Sequence, residues 1–307
     1  MAVPGEVLAH APVGLQRHNR ELAPGHASWM GLLADMTDTT RKSTDRSGGR
    51  LRLRRLHLFE FGDQQWFPQL LRDAETAYLA TSYRLWPRLV QRWAQLISTV
   101  LHAGEPAEIL DLCSGGGGPI LTIVEELETL GHPARVRLTD LYPNPKTSSN
   151  PSVVWLPVPV DATLVSGDLV GVRTMFSAFH HFRPDAATAI LKDAFDRRRA
   201  ICIFEAGGRT LLAAGTMIAV VPLAVLALMP FSRPFRWAHM AFTYLIPLMP
   251  LIVLWDGLVS LLRIYSPEQM NNLTGGLQAP DYAWEIGAIH VAGIPGELPY
   301  LIGRPIR

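Results

Sequence analysis

The spacing of apolar residues changes several times along the chain. Residues 1–50 show no apolar period and are rich in Gly, Ser, Thr, Pro and Arg, a composition that reads as a disordered basic segment. Residues 51–105 carry aromatics in "FEFGDQQWFPQLLRDAETAYLATSYRLW" and predict an N-terminal helical cap. From 106 to 205, short β-rich runs alternate with helical ones. "EILDL" (108–112), "RVRLTD" (135–140), "VRTMFSA" (172–178) and "AICIFEA" (200–206) predict strands. "VVWLPV" (153–158) predicts a weaker strand, since Pro157 and Pro159 favour an edge. "PILTIVEELETL" (119–130) and "PDAATAILKDAF" (184–195) predict helices, the second with Pro184 in its first turn. This alternation with apolar strands argues for a parallel sheet covered on both faces.

The rhythm then breaks. "LLAAGTMIAVVPLAVLALMP" (211–230) has no charge, and "WAHMAFTYLIPLMPLIVLW" (237–255) has His239 as its single ionisable group. About twenty apolar residues suffice to cross a bilayer. A pair of buried helices is the competing account, yet the sheet already has a core. Because the block falls inside the folded domain, both ends must return to it, which predicts a helical hairpin over 211–262. Pro222, Pro247 and Pro250 are expected to interrupt its helices. Arg233 and Arg236 in the connecting loop disfavour placing that loop on the far side of a membrane, so a hairpin dipping into one leaflet satisfies the pattern.

"DLCSGGGGP" (111–119) lies between the first strand and its helix. Glycines there let a ligand touch bare backbone and meet a helix N-terminus. Asp111 ends that strand and Asp140 the next, where a carboxylate can hold both hydroxyls of a ribose. Asp161, in "PVDAT", follows the third strand. The G-x-G-x-x-G fingerprint of nicotinamide dehydrogenases fails at Ile120.

With these residues the chain resembles the class I S-adenosylmethionine-dependent methyltransferases. "DLCSGGGG" matches their first motif with Asp111, Gly115 and Gly117, and Cys113 replaces the usual first glycine. "DYAWEIGAIHV" and "LPYLIGRP" look like the antiparallel last two strands of that fold. Before them "SPEQMNNLT" predicts a helix with a Ser266 cap, Pro267 and a Gln269 capping box. "LTDLYPN", "FHHF", "TYLIPLMPL", "WDG" and "LRIYS" look like a bacterial subgroup carrying the apolar insertion. The resemblance implies a Rossmann-like doubly wound α/β sheet over 106–307, interrupted by the hairpin. It implies S-adenosylmethionine as cofactor, held by Asp111, Cys113, Ser114, Gly115, Gly117, Asp140, Leu141, Asp161 and Ala162, with Asp140 on the ribose and Asp161 at the adenine edge.

Composition adjusts this reading at three points. The net charge of +1 does not suggest nucleic acid. Cys113 and Cys202 lie far apart in apolar or glycine-rich runs, which suits a reducing compartment. Residues 41–55, "RKSTDRSGGRLRLRR", hold seven basic side chains that fit anionic lipid headgroups. The expected location is therefore a membrane, with the catalytic domain on the cytoplasmic side. Lipid, or a second subunit, would cover the hairpin.

His180 and His181 follow the fourth strand, and one of them is expected to orient or deprotonate the methyl acceptor. Glu60, Asp63 and Trp66 are candidates for a lid over the site, and Tyr244 for a substrate channel. Glu205 and Arg209 flank the start of the hairpin; Asp256 and Arg263 flank its end and are expected to pair with each other. No metal ligand set is read from the spacing. Two functions stand: a membrane-associated methyltransferase acting on a lipophilic small molecule or lipid, and a membrane-anchored S-adenosylmethionine-binding scaffold or sensor without turnover.

Overall fold

The computed structural model describes residues 52–101, 107–143 and 150–306. The chain divides into two units, Met1–Gly49 and Arg50–Arg307, and the described residues all belong to the second. The expected basic segment up to residue 50 lies outside the described residues.

Seven strands form one sheet: β1 (Ala107–Asp111), β2 (Ala134–Leu138), β3 (Val153–Trp155), β4 (Val172–Phe176), β5 (Ile201–Phe204), β6 (Tyr282–Ile289) and β7 (Leu298–Pro305). Their order is β3-β2-β1-β4-β5-β7-β6. β1 to β5 pair in parallel, whereas β7 runs antiparallel to both β5 and β6. This is an α/β, Rossmann-like doubly wound sheet. β3 stops after three residues, short of the expected 153–158, because Pro157 cannot donate to a ladder.

Alternation along the strands divides the core. Ile109, Val136, Cys202 and Phe204 face one side, where α2 (Pro87–Ser98) and α3 (Ile120–Thr129) cover them with Trp93, Ile97, Ile123 and Leu127. Leu110, Met175, Ile201 and Ile203 face the other, beneath α4 (Pro184–Asp196) and α8 (Pro267–Thr274). α8 starts on the expected capping box: Ser266 Oγ accepts from the Gln269 N–H, and the Gln269 side chain accepts from the Ser266 N–H.

A third cluster sits apart from the sheet. α1 (Gln69–Tyr83) repeats Leu71, Ala74 and Tyr78 on one face, at helical spacing. Val225 and Met229 from the α5 (Leu211–Leu228) region and Met249, Ile252 and Val253 of α7 (Leu248–Arg263) cover it. Thr210 caps α5 by accepting from the Ala213 N–H at 3.1 Å. Pro222 lies inside α5, which continues through it as one helix. The second apolar run behaves differently. A short α6 (Trp237–Met240) passes into a π-helical turn, then breaks at Ile246–Pro247 with a bend of 84° before α7. Leu211–Phe231 is the one helix among the described residues long and apolar enough to cross a membrane, with mean hydropathy 2.5. The α5–α7 region thus has two faces. One packs on α1; the other leaves Leu223, Leu251 and Leu245 exposed, Leu245 by 80%.

Candidate active site

The order of strands reverses between β1 and β4, and crevices at such a reversal open at the carboxyl ends of the strands. The glycine loop follows β1 there. Asp111 is buried at the strand end, and its Oδ1 accepts from Thr174 Oγ1 of β4 at 2.7 Å. Burial pushes its pKa up to about 7 against the opposing hydrogen bonds of Thr174 and Ser114. Cys113 has a φ of +56°, in the left-handed region that glycine favours, so a side chain is carried where the resemblance expects none. Burial raises its thiol pKa, with Asp140, Asp111 and Asp161 adding to the shift. Gly115 also has positive φ, and a Cβ there would meet nothing within 4 Å. At Gly115 and Gly118 the loop therefore presents bare backbone to open space, whereas Gly116 and Gly117 are packed against Thr76 and Trp155.

Asp140 closes this cradle. Its Oδ2 accepts from the Gly115 N–H at 3.0 Å and its Oδ1 from the Tyr142 N–H at 2.9 Å. Leu141 beside it is half exposed, and Ala162 is buried. Ser114 Oγ donates to the Asp111 carbonyl and accepts from the Thr139 N–H, locking β1 to β2. Asp161 Oδ1 accepts from both the N–H and the hydroxyl of Thr163. The indole nitrogen of Trp155 is buried without a partner among the described residues, and its ring lies 3.2 Å from where a Gly117 Cβ would stand. An open backbone cradle, two acids at neighbouring strand ends and an orphaned buried donor fit a nucleoside-bearing cofactor. Sequence reasoning missed Trp155; its signal was an indole at the third strand's end.

A second constellation lies at the same edge. His180 stands in a 3₁₀ turn (Phe179–His181) after β4 and is 2% exposed. Glu205, the first residue after β5, holds it twice. Glu205 Oε1 accepts from the His180 N–H at 3.0 Å, and Oε2 lies 2.8 Å from Nδ1. The opposite ring nitrogen, Nε2, is buried without a hydrogen-bond partner among the described residues, 3.9 Å from Glu60 Oε1. His181 turns to the carboxylates: its Nδ1 lies 2.9 Å from Asp63 Oδ1 and 3.5 Å from Glu60 Oε2. Burial opposes its charge, but Asp63 and Glu60 overcome this and push its pKa up to about 9. Burial alone would raise Asp63; His181 and Arg263 hold it well below the usual carboxylate range. The carboxylates thus favour the charged form of His181, whereas His180 keeps a ring nitrogen without a hydrogen-bond partner among the described residues.

Glu60 and Asp63 are thus brought to the histidines, where Glu60 is buried. Trp66 is not: it is exposed and packs edge-on against Phe61 and Phe67. Tyr244 is not either; its hydroxyl donates to the Leu226 carbonyl on α5. The expected Asp256–Arg263 pair does not form. Arg263 Nη1 bonds Glu60 Oε1 at 3.0 Å and Asp63 Oδ2 at 2.6 Å, while the Asp256 carboxylate accepts from the N–H groups of Phe61 and Gly62. The acid and the arginine nonetheless serve the same segment, residues 60–63, because α7 points Asp256, Ser260 and Arg263 at it from one face. Ser260 Oγ donates to Glu60 Oε1 at 3.1 Å. Glu75 of α1 bonds to Asp256, and burial, then Asp256 and Glu60, raises its pKa. Its neighbour Thr76 touches the position a Gly116 Cβ would take, so α1 joins the acid cluster to the glycine loop. The basic stretch also folds inward at its end. Arg52 pairs with Glu268 and Glu297, and Arg55 stacks 3.8 Å over the Tyr265 ring.

No known protein family matches the sequence, and no curated protein is similar to it. Among solved structures, the chain is similar to the citrinin polyketide synthase CMeT domain at 14% identity and TM-score 0.39, covering 68% of this chain and 49% of that one. It is similar to magnesium protoporphyrin IX methyltransferase from Synechocystis PCC 6803 with bound SAM at 8% identity and TM-score 0.37, covering 72% and 78%. It is similar to human N-acetylserotonin methyltransferase in complex with SAM at 11% identity and TM-score 0.37, covering 75% and 59%. The chain spans about half the length of the first of these. The fold assignment rests on the strand order and the antiparallel β7.

Proposed function

We propose that the chain is a membrane-associated S-adenosylmethionine-dependent methyltransferase acting on a lipophilic small molecule or lipid. The observation that carries this reading is the adjacency of two devices at one sheet edge: the Gly115–Asp140 cradle and the buried His180–Glu205 pair. Asp111, Cys113, Ser114, Gly115, Gly117, Asp140, Leu141, Asp161 and Ala162 are the residues assigned to the cofactor, with the Trp155 indole added. When bound, the cofactor supplies a methyl group on a positively charged sulfur. Held there, it would give that methyl to the acceptor and leave as the neutral thioether. The chain's own part is alignment and proton removal. Glu205 beside Nδ1 favours the His180 tautomer with its proton there, so Nε2, on the side of Glu60, keeps the lone pair that would take an acceptor proton.

The outward face of the α5–α7 region supports the membrane part. Trp237, Leu245, Leu251 and Leu223 are each largely exposed in this apolar region, and soluble monomers rarely show contiguous apolar patches beyond a few hundred Å². A second copy of the chain is the other cover this face allows. The bend before α7 and the arginines at 233 and 236 favour entry into one leaflet from the cytoplasmic side.

Transfer of labelled methyl from S-adenosylmethionine into a membrane extract tests the reading. A labelled lipid-phase product supports it. Cofactor binding without any transfer leaves a membrane-anchored scaffold or sensor in its place.

A further inference from the structure

We infer that Glu60, His180 and His181 form a site for one divalent transition-metal ion, with Asp63 at its margin. One donor atom from each of the three lies within 4.8 Å of the others. Bonds of about 2.0–2.1 Å to nitrogen and oxygen place tetrahedral ligand atoms about 3.4 Å apart. His181 Nδ1 lies 3.5 Å from Glu60 Oε2 and His180 Nε2 lies 3.9 Å from Glu60 Oε1, so the two rings face different oxygens of one carboxylate, and the side chains must shift to bring a single oxygen to both.

A cluster of acids and histidines alone would not establish a site. The second observation is His180 Nε2, on a 2% exposed side chain, with no partner among the described residues and directed at a carboxylate. Glu205 takes the other ring nitrogen at 2.8 Å. A carboxylate behind the imidazole sets the tautomer, orients the ring and raises the basicity of the free nitrogen, the arrangement seen behind metal-bound histidines. A buried lone pair facing a carboxylate is unfavourable unless a cation or a donor lies between them.

Charge agrees. Glu60, Asp63 and Glu205 bring three negative charges to the group, and Arg263 brings one positive charge. The carboxylates here outnumber the one guanidinium, which favours a cation among them. Arg263 competes for this space, because Nη1 lies 3.4 Å from His181 Nδ1. It engages Glu60 through Oε1, together with Ser260, and leaves Oε2 toward His181. Imidazole and carboxylate donors suit zinc, iron, manganese or cobalt better than calcium or magnesium.

The inference deepens the proposed function and rests on it only for the use of the ion. There the ion would acidify an acceptor hydroxyl bound to it, the service otherwise assigned to His180. Binding itself is read without any methyl transfer. The full chain, in detergent and without a polyhistidine tag, is stripped with chelator and titrated with cobalt(II) and with zinc(II). One ion per chain is expected, with cobalt visible absorption of a nitrogen–oxygen site. His180→Ala and Glu60→Gln should each weaken binding by at least 10-fold, and Glu205→Gln by about 10-fold. Circular dichroism reports whether each variant folds. Absence of a stoichiometric cobalt site in the unmodified chain overturns the inference whatever the variants do. So does binding that folded His180→Ala and Glu60→Gln leave unchanged. Metal bound with no methyl transfer would instead count against the methyltransferase reading alone.

Discussion

Asp111→Asn should stabilise the protein when no cofactor is bound, and by more at alkaline pH. The carboxyl group is buried, and its main compensation is one hydroxyl hydrogen bond from Thr174 at 2.7 Å. Burial raises its pKa from 3.8 to about 7. For an acid with a raised folded-state pKa, the folded chain binds the proton more tightly than the unfolded chain. Stability is therefore greatest while the group is protonated in both states. It falls as pH rises from the unfolded value to about 7, and is flat above that. Linkage gives a penalty of about 1.5 kcal/mol at about pH 5 and about 4 kcal/mol at about pH 8. Asparagine keeps an acceptor for Thr174 and removes the charge, so it should recover most of this penalty. Its advantage should grow by about 2.5 kcal/mol between the two conditions, or about 5–10 °C in Tm at about 2–4 °C per kcal/mol. Thermal melts of both proteins in detergent across this range make the measurement. A difference in Tm that stays constant from about pH 5 to about pH 8 would refute a carboxylate buried at a cost. Saturating cofactor should shrink the difference if the ligand supplies Asp111 with a partner.

Asp140→Ala should weaken S-adenosylmethionine binding by about 10- to 100-fold, since hydrogen bonds to charged groups contribute about 1.5–3 kcal/mol; calorimetry that finds unchanged affinity would remove Asp140 from the cofactor site. His180→Ala should lower methyl transfer by about 10²–10⁴-fold with cofactor affinity retained, and full turnover in a folded variant would leave alignment as the whole of catalysis. Leu223→Glu combined with Leu251→Glu should move the protein from the membrane to the soluble fraction, because each exposed leucine contributes about 1.5–3 kcal/mol when covered. If fractionation finds the unmodified chain soluble and monomeric without detergent, no membrane or second copy covers that face.

Much of the fold was legible because its signals are local. Four glycines after a buried strand, a proline at the start of α4, and Ser266 with Gln269 three residues on each specify a local conformation without help from elsewhere. The antiparallel end of the sheet was readable from the last two β-rich runs. The acid–histidine cluster was not, because it joins residues 60–63, 180–181, 205 and 260–263, which only the packed chain brings together. A partial signal existed. In "LIVLWDGLVSLLR", Asp256, Ser260 and Arg263 recur at four and seven residues, which places them on one face of a helix otherwise apolar. Polar residues on one face of such a helix are directed at a polar partner, and the acids at 60 and 63 were available.

The same helix shows why the apolar block is more than a detachable anchor. α7 carries Leu251 and Trp255 outward, Met249, Ile252 and Val253 against α1, and Asp256, Ser260 and Arg263 into the cluster around Glu60. Replacing 211–255 by a linker would strip the cover from Leu71, Ala74 and Tyr78 and remove the first turns of α7. The helix that places Arg263 against Glu60 and Asp63 would then lose its footing. Exposing those α1 side chains costs about 25 cal/mol per Å² of apolar area, a loss that falls on the cap itself. Point charges on the outward face separate membrane attachment from folding, whereas excision does not. On the proposed membrane reading, a lipid surface against Leu251 and Trp255 would act on the helix that also positions Arg263, so attachment and the acid–histidine cluster would be coupled through α7.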